Sequence, residues 1–292
     1  MRGDHIDAVE EAVDYIQEHL YDGIDLEAVA DHACFSRHYF NRLFSAVMGE
    51  SIHEFARRLR LEQAAFRLLK RPDMSVTAIA AEAGYSPSNF ATAFRENFGM
   101  SASAYRAGAS GPREPAYAAA LERISRLRSG GPEAEAVLAG LEGRIEVVEL
   151  PAYRLYRRSY RGPYLGLAGA WEAFCGHVED AFPGLEEPHY VGISYDDPLI
   201  TEGKLLRYSL CVDLPPGISA PRLLRIPAKR YARYRFFAPL SELVHVFYDL
   251  VALWMPRHGL ALEEAPCLEL YGSGLDPEGR IAVDVCAPIA EA

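Results

Sequence analysis

Between residues 26 and 107, apolar side chains recur three and four positions apart, the period of helices with one buried face. The pattern comes twice. Val29, Ala30, Ala33, Phe35, Phe40, Phe44, Gly49 and Phe55 are matched fifty residues later, without a gap, by Ile79, Ala80, Ala83, Tyr85, Phe90, Phe94, Gly99 and Tyr105. Each copy predicts a short helix (26–33, 76–83), a tight turn at Cys34 or Gly84, and a second helix capped by Ser36 or Ser86 and closed by Gly49 or Gly99. In the first copy Phe40, Leu43, Phe44 and Val47 point to the core, while His38, Asn41, Arg42 and Ser45 share the opposite face. Residues 51–71 form a long amphipathic helix between the copies.

From about residue 144 the period changes to β-branched and aromatic alternation, which predicts strands. This half repeats too, at an offset of 76: Leu150-Pro151-Ala152 meets Ile226-Pro227-Ala228, Trp171 meets Phe247, and Tyr195 meets Tyr271. Each copy reads as strand, helix, strands (145–160, 165–181, 189–214; then 222–237, 240–257, 266–288). A Pro/Gly segment at 107–116 and a short helix over 114–129 separate the halves. Two domains follow: an all-α double helix-turn-helix domain at 1–108 and an α+β domain at 144–292. The second is a duplicated β-α-β-β unit with an antiparallel sheet, and a linker with short helices at 109–143 joins them.

Composition narrows the function. A length of 292 residues suits two domains. The most apolar stretch, 243–255, is interrupted by His245 and Asp249, so no membrane segment is expected. Five cysteines without a C-x-x-C pair argue against a disulfide framework or zinc ribbon, and a reducing cytoplasm is the expected compartment. The net charge is -11, yet residues 35–71 carry eight basic against three acidic side chains. That local patch can dock phosphates in an otherwise acidic chain. Helix, turn, helix with a polar outer face is the plan that lays its second helix in the major groove of DNA.

The connecting helix, the Ser-capped second helices and the run GYSPSNFATAFRENFGMSASAYR make residues 7–106 resemble the AraC-type DNA-binding domain. The resemblance implies double-stranded promoter DNA as partner, with RNA polymerase a further candidate. By position Ser36, Arg37, His38, Asn41 and Arg42 match that family's DNA-contacting residues. In the second copy Ser88, Ala91 and Thr92 stand where His38, Asn41 and Arg42 stand in the first. An alanine side chain makes no hydrogen bond to a base. The second unit is therefore expected to hold phosphates through Ser86 and Arg95, with Ser88 and Thr92 reading little sequence.

In the second half, strand alternation over PCLELYG puts Cys267, Glu269 and Tyr271 on one face and Leu268 and Leu270 on the other. From the strand alone, Glu269 is equally a solvated acid or an ion-pair partner. The segments ELPAYRLYRRSYRGPY, VGISYDDPLITEGKLLRYSLCVDL and APCLELYGSG resemble the GyrI-like ligand-binding domain, over most of 145–290. That resemblance implies a receptor for small organic molecules, often flat, apolar and cationic, and places Glu269 in the pocket. Trp171, Tyr195, Tyr164 and Tyr271 are candidate aromatic walls, with core packing an equal alternative. No catalytic residue, metal site or cofactor is expected: Cys175-Gly176-His177 lacks a second ligand pair. Asp196-Asp197-Pro198 reads as a turn with solvated acids, and 272–279 as a turn between strands. The reading that emerges is a transcription regulator sensing a small aromatic or cationic ligand. Its rival is a hydrolase of reactive molecules in which Glu269 and Tyr271 activate water.

Overall fold

The computed structural model describes residues 3–71, 73–108, 117–128, 130–221, 223–239, 242–263, 265–272 and 280–290. The chain divides into two compact units, 1–110 and 111–292. Residues 109–116 of the expected linker and 273–279 of the expected turn lie outside the described residues.

The first unit contains seven described helices: α1 (Gly3–Glu18), α2 (Leu26–His32), α3 (Arg37–Met48), α4 (Ile52–Lys70), α5 (Val76–Glu82), α6 (Pro87–Phe98) and α7 (Ala102–Arg106). The duplicated pattern becomes duplicated structure, with α2–α3 repeated as α5–α6. Gly49 and Gly99 close α3 and α6 in left-handed conformation (φ 68° and 73°), each donating its N–H back into the last turn. The turn residue also repeats: Gly84 has φ 78°, and Cys34 takes φ 61°, a conformation that is strained for a residue with a Cβ. The two start signals differ. Ser86 accepts a hydrogen bond from the Asn89 N–H, whereas Ser36 makes no side-chain cap. Phe40, Leu43 and Phe44 enter the core as the spacing predicts, with Val47 partly buried against it.

α4 starts with a reciprocal cap between Ser51 and Glu54. On its buried side Arg58 holds two carboxylates: Nε and Nη2 reach Glu50 at 3.0 and 2.7 Å, and Nη1 reaches Glu62 at 2.9 Å. Glu50 follows the Gly49 cap of α3, so this buried network pins the end of α3 to α4.

The second unit is one antiparallel sheet of eight described strands. They are β1 (Ile145–Leu150), β2 (Tyr153–Arg161), β3 (His189–Ser194), β4 (Arg207–Asp213), β5 (Leu224–Ile226), β6 (Lys229–Pro239), β7 (Cys267–Tyr271) and β8 (Arg280–Pro288). Their spatial order is β1-β6-β8-β7-β3-β4-β2-β5. The halves meet at the β3–β7 pair, and each half lends its first strand to the other's sheet edge. One face carries Tyr208, Leu210 and Val212 and is covered in the first half by α10 (Leu167–Ala181), through Phe174 and Val178. In the second half it is covered by α11 (Leu243–Tyr248), a π-helical turn over 249–254, and α12 (Met255–Arg257). Helices α8 (Ala118–Arg128) and α9 (Pro132–Leu141), foreseen within the linker, belong to this unit. The opposite face gathers Leu155, Val191, Ile193, Cys211 and Leu268.

Candidate nucleic-acid interface and ligand site

The outward face of α3 is made by default: the residues not needed for packing are the polar ones. Arg37, His38 and Arg42 are exposed, Asn41 is half-buried, and none of the four has a side-chain partner among the described residues. They are free to hydrogen-bond to something outside the chain. α6 differs. The Thr92 hydroxyl donates to the Ser88 carbonyl at 3.3 Å, and Ser86 is occupied by its cap, its oxygen 3.5 Å from the Ser88 hydroxyl. Glu96 pairs with Arg57 of α4. Arg95 stays exposed. α3 therefore offers two guanidiniums, an imidazole and an amide, and α6 offers one guanidinium with short, exposed hydroxyls already engaged within the helix.

The second site grows from one register. Across β3 and β7, Gly192 sits opposite Glu269 and Tyr190 opposite Tyr271; across β3 and β4, Ser194 sits opposite Tyr208. Residues directly opposite share a face, so these side chains all rise toward α10. Tyr208 and Tyr271 both donate to Glu269 Oε2, at 2.5 and 2.6 Å, and their own oxygens lie 3.0 Å apart. Gly192 makes this possible, because a Cβ there would lie 1.8 Å from the Tyr208 oxygen and 3.0 Å from Glu269 Oε2. Trp171 of α10 closes over the group, its ring 4.9 Å from Tyr271 and 6.2 Å from Tyr208, both edge-on. The buried indole N–H has no partner of normal geometry, the Tyr271 hydroxyl offering only a weak one.

Glu269 is half-buried by surface, yet burial raises its pKa, and the two phenol donors pull it back down. Burial together with the neighbouring carboxylate holds the phenols of Tyr208 and Tyr271 well above their ordinary value, so both stay protonated donors. The Cys267 thiol is pushed up to about 12, first by burial and then by Glu269. Among the described residues no Lys or Arg pairs with Glu269. An acid is thus held among aromatic side chains, with hydrogen bonds and without a counter-charge among the described residues.

Of the aromatic candidates, Trp171 and Tyr271 join Glu269. Tyr164 stands behind: its ring lies 5.8 Å from Tyr208, and its hydroxyl sits 2.9 Å from the carbonyls of Asp196 and Arg207. Tyr195 is on the other face of the sheet, beside the Ser209 hydroxyl at 3.1 Å and under the Arg207 guanidinium. The offset of 76 equates Tyr195 with Tyr271, but the register equates their strands one residue out of step, and one residue is one face. Sequence reasoning misses Tyr208. The available signal is the alternation in RYSLCVDL, which aligns Tyr208, Leu210 and Val212 without saying what faces them.

The acids of Asp196-Asp197-Pro198 are not solvated, contrary to expectation. Asp196 is buried against Arg207, with Nη2–Oδ1 at 2.6 Å and Nε–Oδ2 at 2.9 Å. Asp197 accepts from the Leu199 N–H at 2.9 Å and from the Tyr248 hydroxyl. Arg207 lies 11 residues past Asp196 and Tyr248 lies 51 past Asp197, both beyond the reach of a local turn reading. His177 accompanies Tyr156 and Arg158, and no group of metal-binding side chains forms among the described residues.

Comparison with known proteins covers both units. A helix-turn-helix domain model matches residues 29–108 and a GyrI-like small molecule binding domain model matches 144–290. The regulatory protein PocR of Salmonella typhimurium is 34% identical over 103 residues, 35% of this chain and 34% of PocR. SoxS of the same organism is 29% identical over 103 residues, 35% of this chain and 95% of SoxS. The DNA-binding domain of AdpA, solved with target DNA, is 34% identical over 34% of this chain and 90% of its own, at a TM-score of 0.32. The chain spans about a third of PocR and nearly all of SoxS. This chain belongs to the GyrI-like small-molecule-binding family and carries that domain behind an AraC-type helix-turn-helix domain.

Proposed function

We propose that the chain is a one-component transcription regulator: α3 reads a promoter sequence, α6 grips the backbone beside it, and the Glu269 site binds an aromatic or apolar organic cation that alters DNA binding or promoter output. The free basic face of α3 supports the first part, since an arginine fork can contact guanine or a phosphate with two hydrogen bonds. The observation that carries the ligand class is Glu269 itself. A desolvated carboxylate is costly until it meets a positive charge. Here two phenols hold one of its oxygens, and the rings of Trp171 and Tyr271 beside it could offer a face to a cation. A ligand acts by preferring one state of the protein over another, so occupancy must bias the second unit between two arrangements.

The test is a thermal-shift titration of wild type and Glu269→Gln with tetraphenylphosphonium and with neutral triphenylphosphine oxide. Stabilisation of wild type by the cation, lost in the variant while any effect of the neutral compound persists, is the expected result. An equal response to both compounds, or none to the cation, removes the charge-based reading.

A further inference from the structure

The second half of the ligand unit differs from the first in one respect that its covering helix shows. α10 is regular, whereas its counterpart turns π-helical over 249–254, immediately after Tyr248. A π turn holds one residue more than the α turn it replaces, and such turns concentrate at functional sites. At its first residue sits Asp249, buried, with Oδ2 2.9 Å from Nη2 of Arg123 and Oδ1 against Nη1. Arg123 is on α8, the first described helix after the residues that join the two units. α8 is held at a second point, where its Ile124 clusters with Tyr117, Leu199 and Tyr248.

The other side of that cluster leads back to Glu269. Tyr248 donates to Asp197, and Leu199 belongs to the same 195–201 loop. The loop is bound to the strand residue next to Tyr208: the Arg207 N–H donates to Asp196 Oδ2 at 2.8 Å, and the Arg207 guanidinium grips the same carboxylate. Tyr164, edge-on to Tyr208, accepts the Asp196 N–H at 3.3 Å. Anything that displaces Tyr208 from Glu269 pushes on a loop that is hydrogen-bonded to Tyr248 of α11 and packed through Leu199 against the same cluster as Ile124 of α8.

We propose that α8 is the output element of the ligand site, with the 195–201 loop as the link and the π turn at 249–254 as the part with two arrangements. It rests on reading Glu269 as the ligand site. Returning a π turn to α geometry rotates the residues before it by roughly 100° relative to those after, one residue's share of a helical turn. Tyr248 and Asp249 cannot both keep Asp197 and Arg123 through such a rotation. Ligand entry at Glu269 that shifts Tyr208 is thereby converted into release or re-seating of α8. A bistable element biased from the site is the physical requirement for such coupling.

The experiment needs no ligand. Hydrogen–deuterium exchange is measured on the full chain for wild type, Tyr208→Phe, Tyr248→Phe and the double variant, with Glu269→Gln as a second way to disturb the site. Both Tyr→Phe changes keep the buried ring. In Tyr208→Phe, amides of 118–128 and 249–254 are expected to exchange roughly fivefold faster, the scale of one buried hydrogen bond lost. Glu269→Gln should move the same amides. In the Tyr248→Phe background the Tyr208→Phe effect on α8 should shrink to the part that the Leu199–Ile124 packing carries. Unchanged α8 exchange in Tyr208→Phe, or an effect undiminished without the Tyr248 hydroxyl, overturns the proposal. A failed cation titration with coupled exchange would instead fault the ligand class alone.

Discussion

Two buried charges in this chain are handled in opposite ways. In the first unit Arg58 is almost fully enclosed and meets Glu50 and Glu62 through three hydrogen bonds. In the second unit Glu269 meets two phenols and no cation among the described residues. Taking a charge out of water costs several kcal/mol unless partners restore what hydration supplied. Arg58 has its compensation within the chain, so its role is architectural: it fixes the end of α3 to α4. Glu269 has half of its compensation, hydrogen bonds without charge. The missing half is what a ligand can bring. Buried polarity alone does not mark a binding site; the missing counter-charge does.

The strongest way to break this comparison is to remove one side of the paired charge. Arg58→Ala takes the guanidinium away from the buried carboxylates of Glu50 and Glu62, and should cost ~3–5 kcal/mol in denaturant unfolding of the first unit. A loss under about 1 kcal/mol would mean the network behaves as an exposed ion pair does. Next comes the cradle of the other charge. Gly192→Ala drives a methyl into the Tyr208 hydroxyl and should cost ~1–3 kcal/mol in the second unit. The Tyr208–Glu269 bond should go with it, checked by unfolding and by loss of the cation-dependent thermal shift. An exposed charge makes the third case: Arg42→Ala should weaken promoter binding by ~1–3 kcal/mol in an anisotropy titration while leaving the unfolding curve in place.

The smallest effect is the one that sharpens the contrast. Burial raises the folded pKa of Glu269 above its ordinary 4.5, so the fold favours the protonated form more than the unfolded chain does. Its contribution to stability is full below 4.5 and is lost as pH rises through the raised value. Glu269→Gln keeps a neutral side chain at every pH. The variant should therefore gain on wild type as pH climbs from 4.5 toward neutrality, read as a widening Tm difference. A constant difference across that range would show that the two phenols fully replace the solvation that burial removes.

Much of this architecture is legible in the order of the residues alone. The helix-turn-helix copies can be read because they are local: Phe40, Leu43 and Phe44 need only a helical period to find the core. What they leave outside, Arg37, His38 and Arg42, is the polar face. Glu269, Trp171 and Tyr271 are reached with help from a family resemblance, and the strands of the second unit from alternation. Tyr208 escapes notice and Tyr195 enters the candidates for one shared reason. Alternation sorts a strand's residues into two faces without saying which face of the next strand they join, and a repeat alignment off by one residue swaps them. The burial of Asp196 and Asp197 is hidden because their partners, Arg207 and Tyr248, belong to other elements, β4 and α11, beyond the turn itself.

The sequence by itself determined two duplicated architectures, the bounds of the two helix-turn-helix copies to within a residue or two, and an outward basic face on α3. These follow from periodicity and capping, interactions that span about one helical turn or one strand. Only the tertiary structure decided that Glu269 would sit opposite a glycine and beneath two phenols. It also decided that Asp196 and Asp197 would be tied down by distant partners and that a π turn would be clamped by Arg123. Each of these depends on strand register or on contacts between residues far apart in the chain, and such contacts exist only once the sheet has closed.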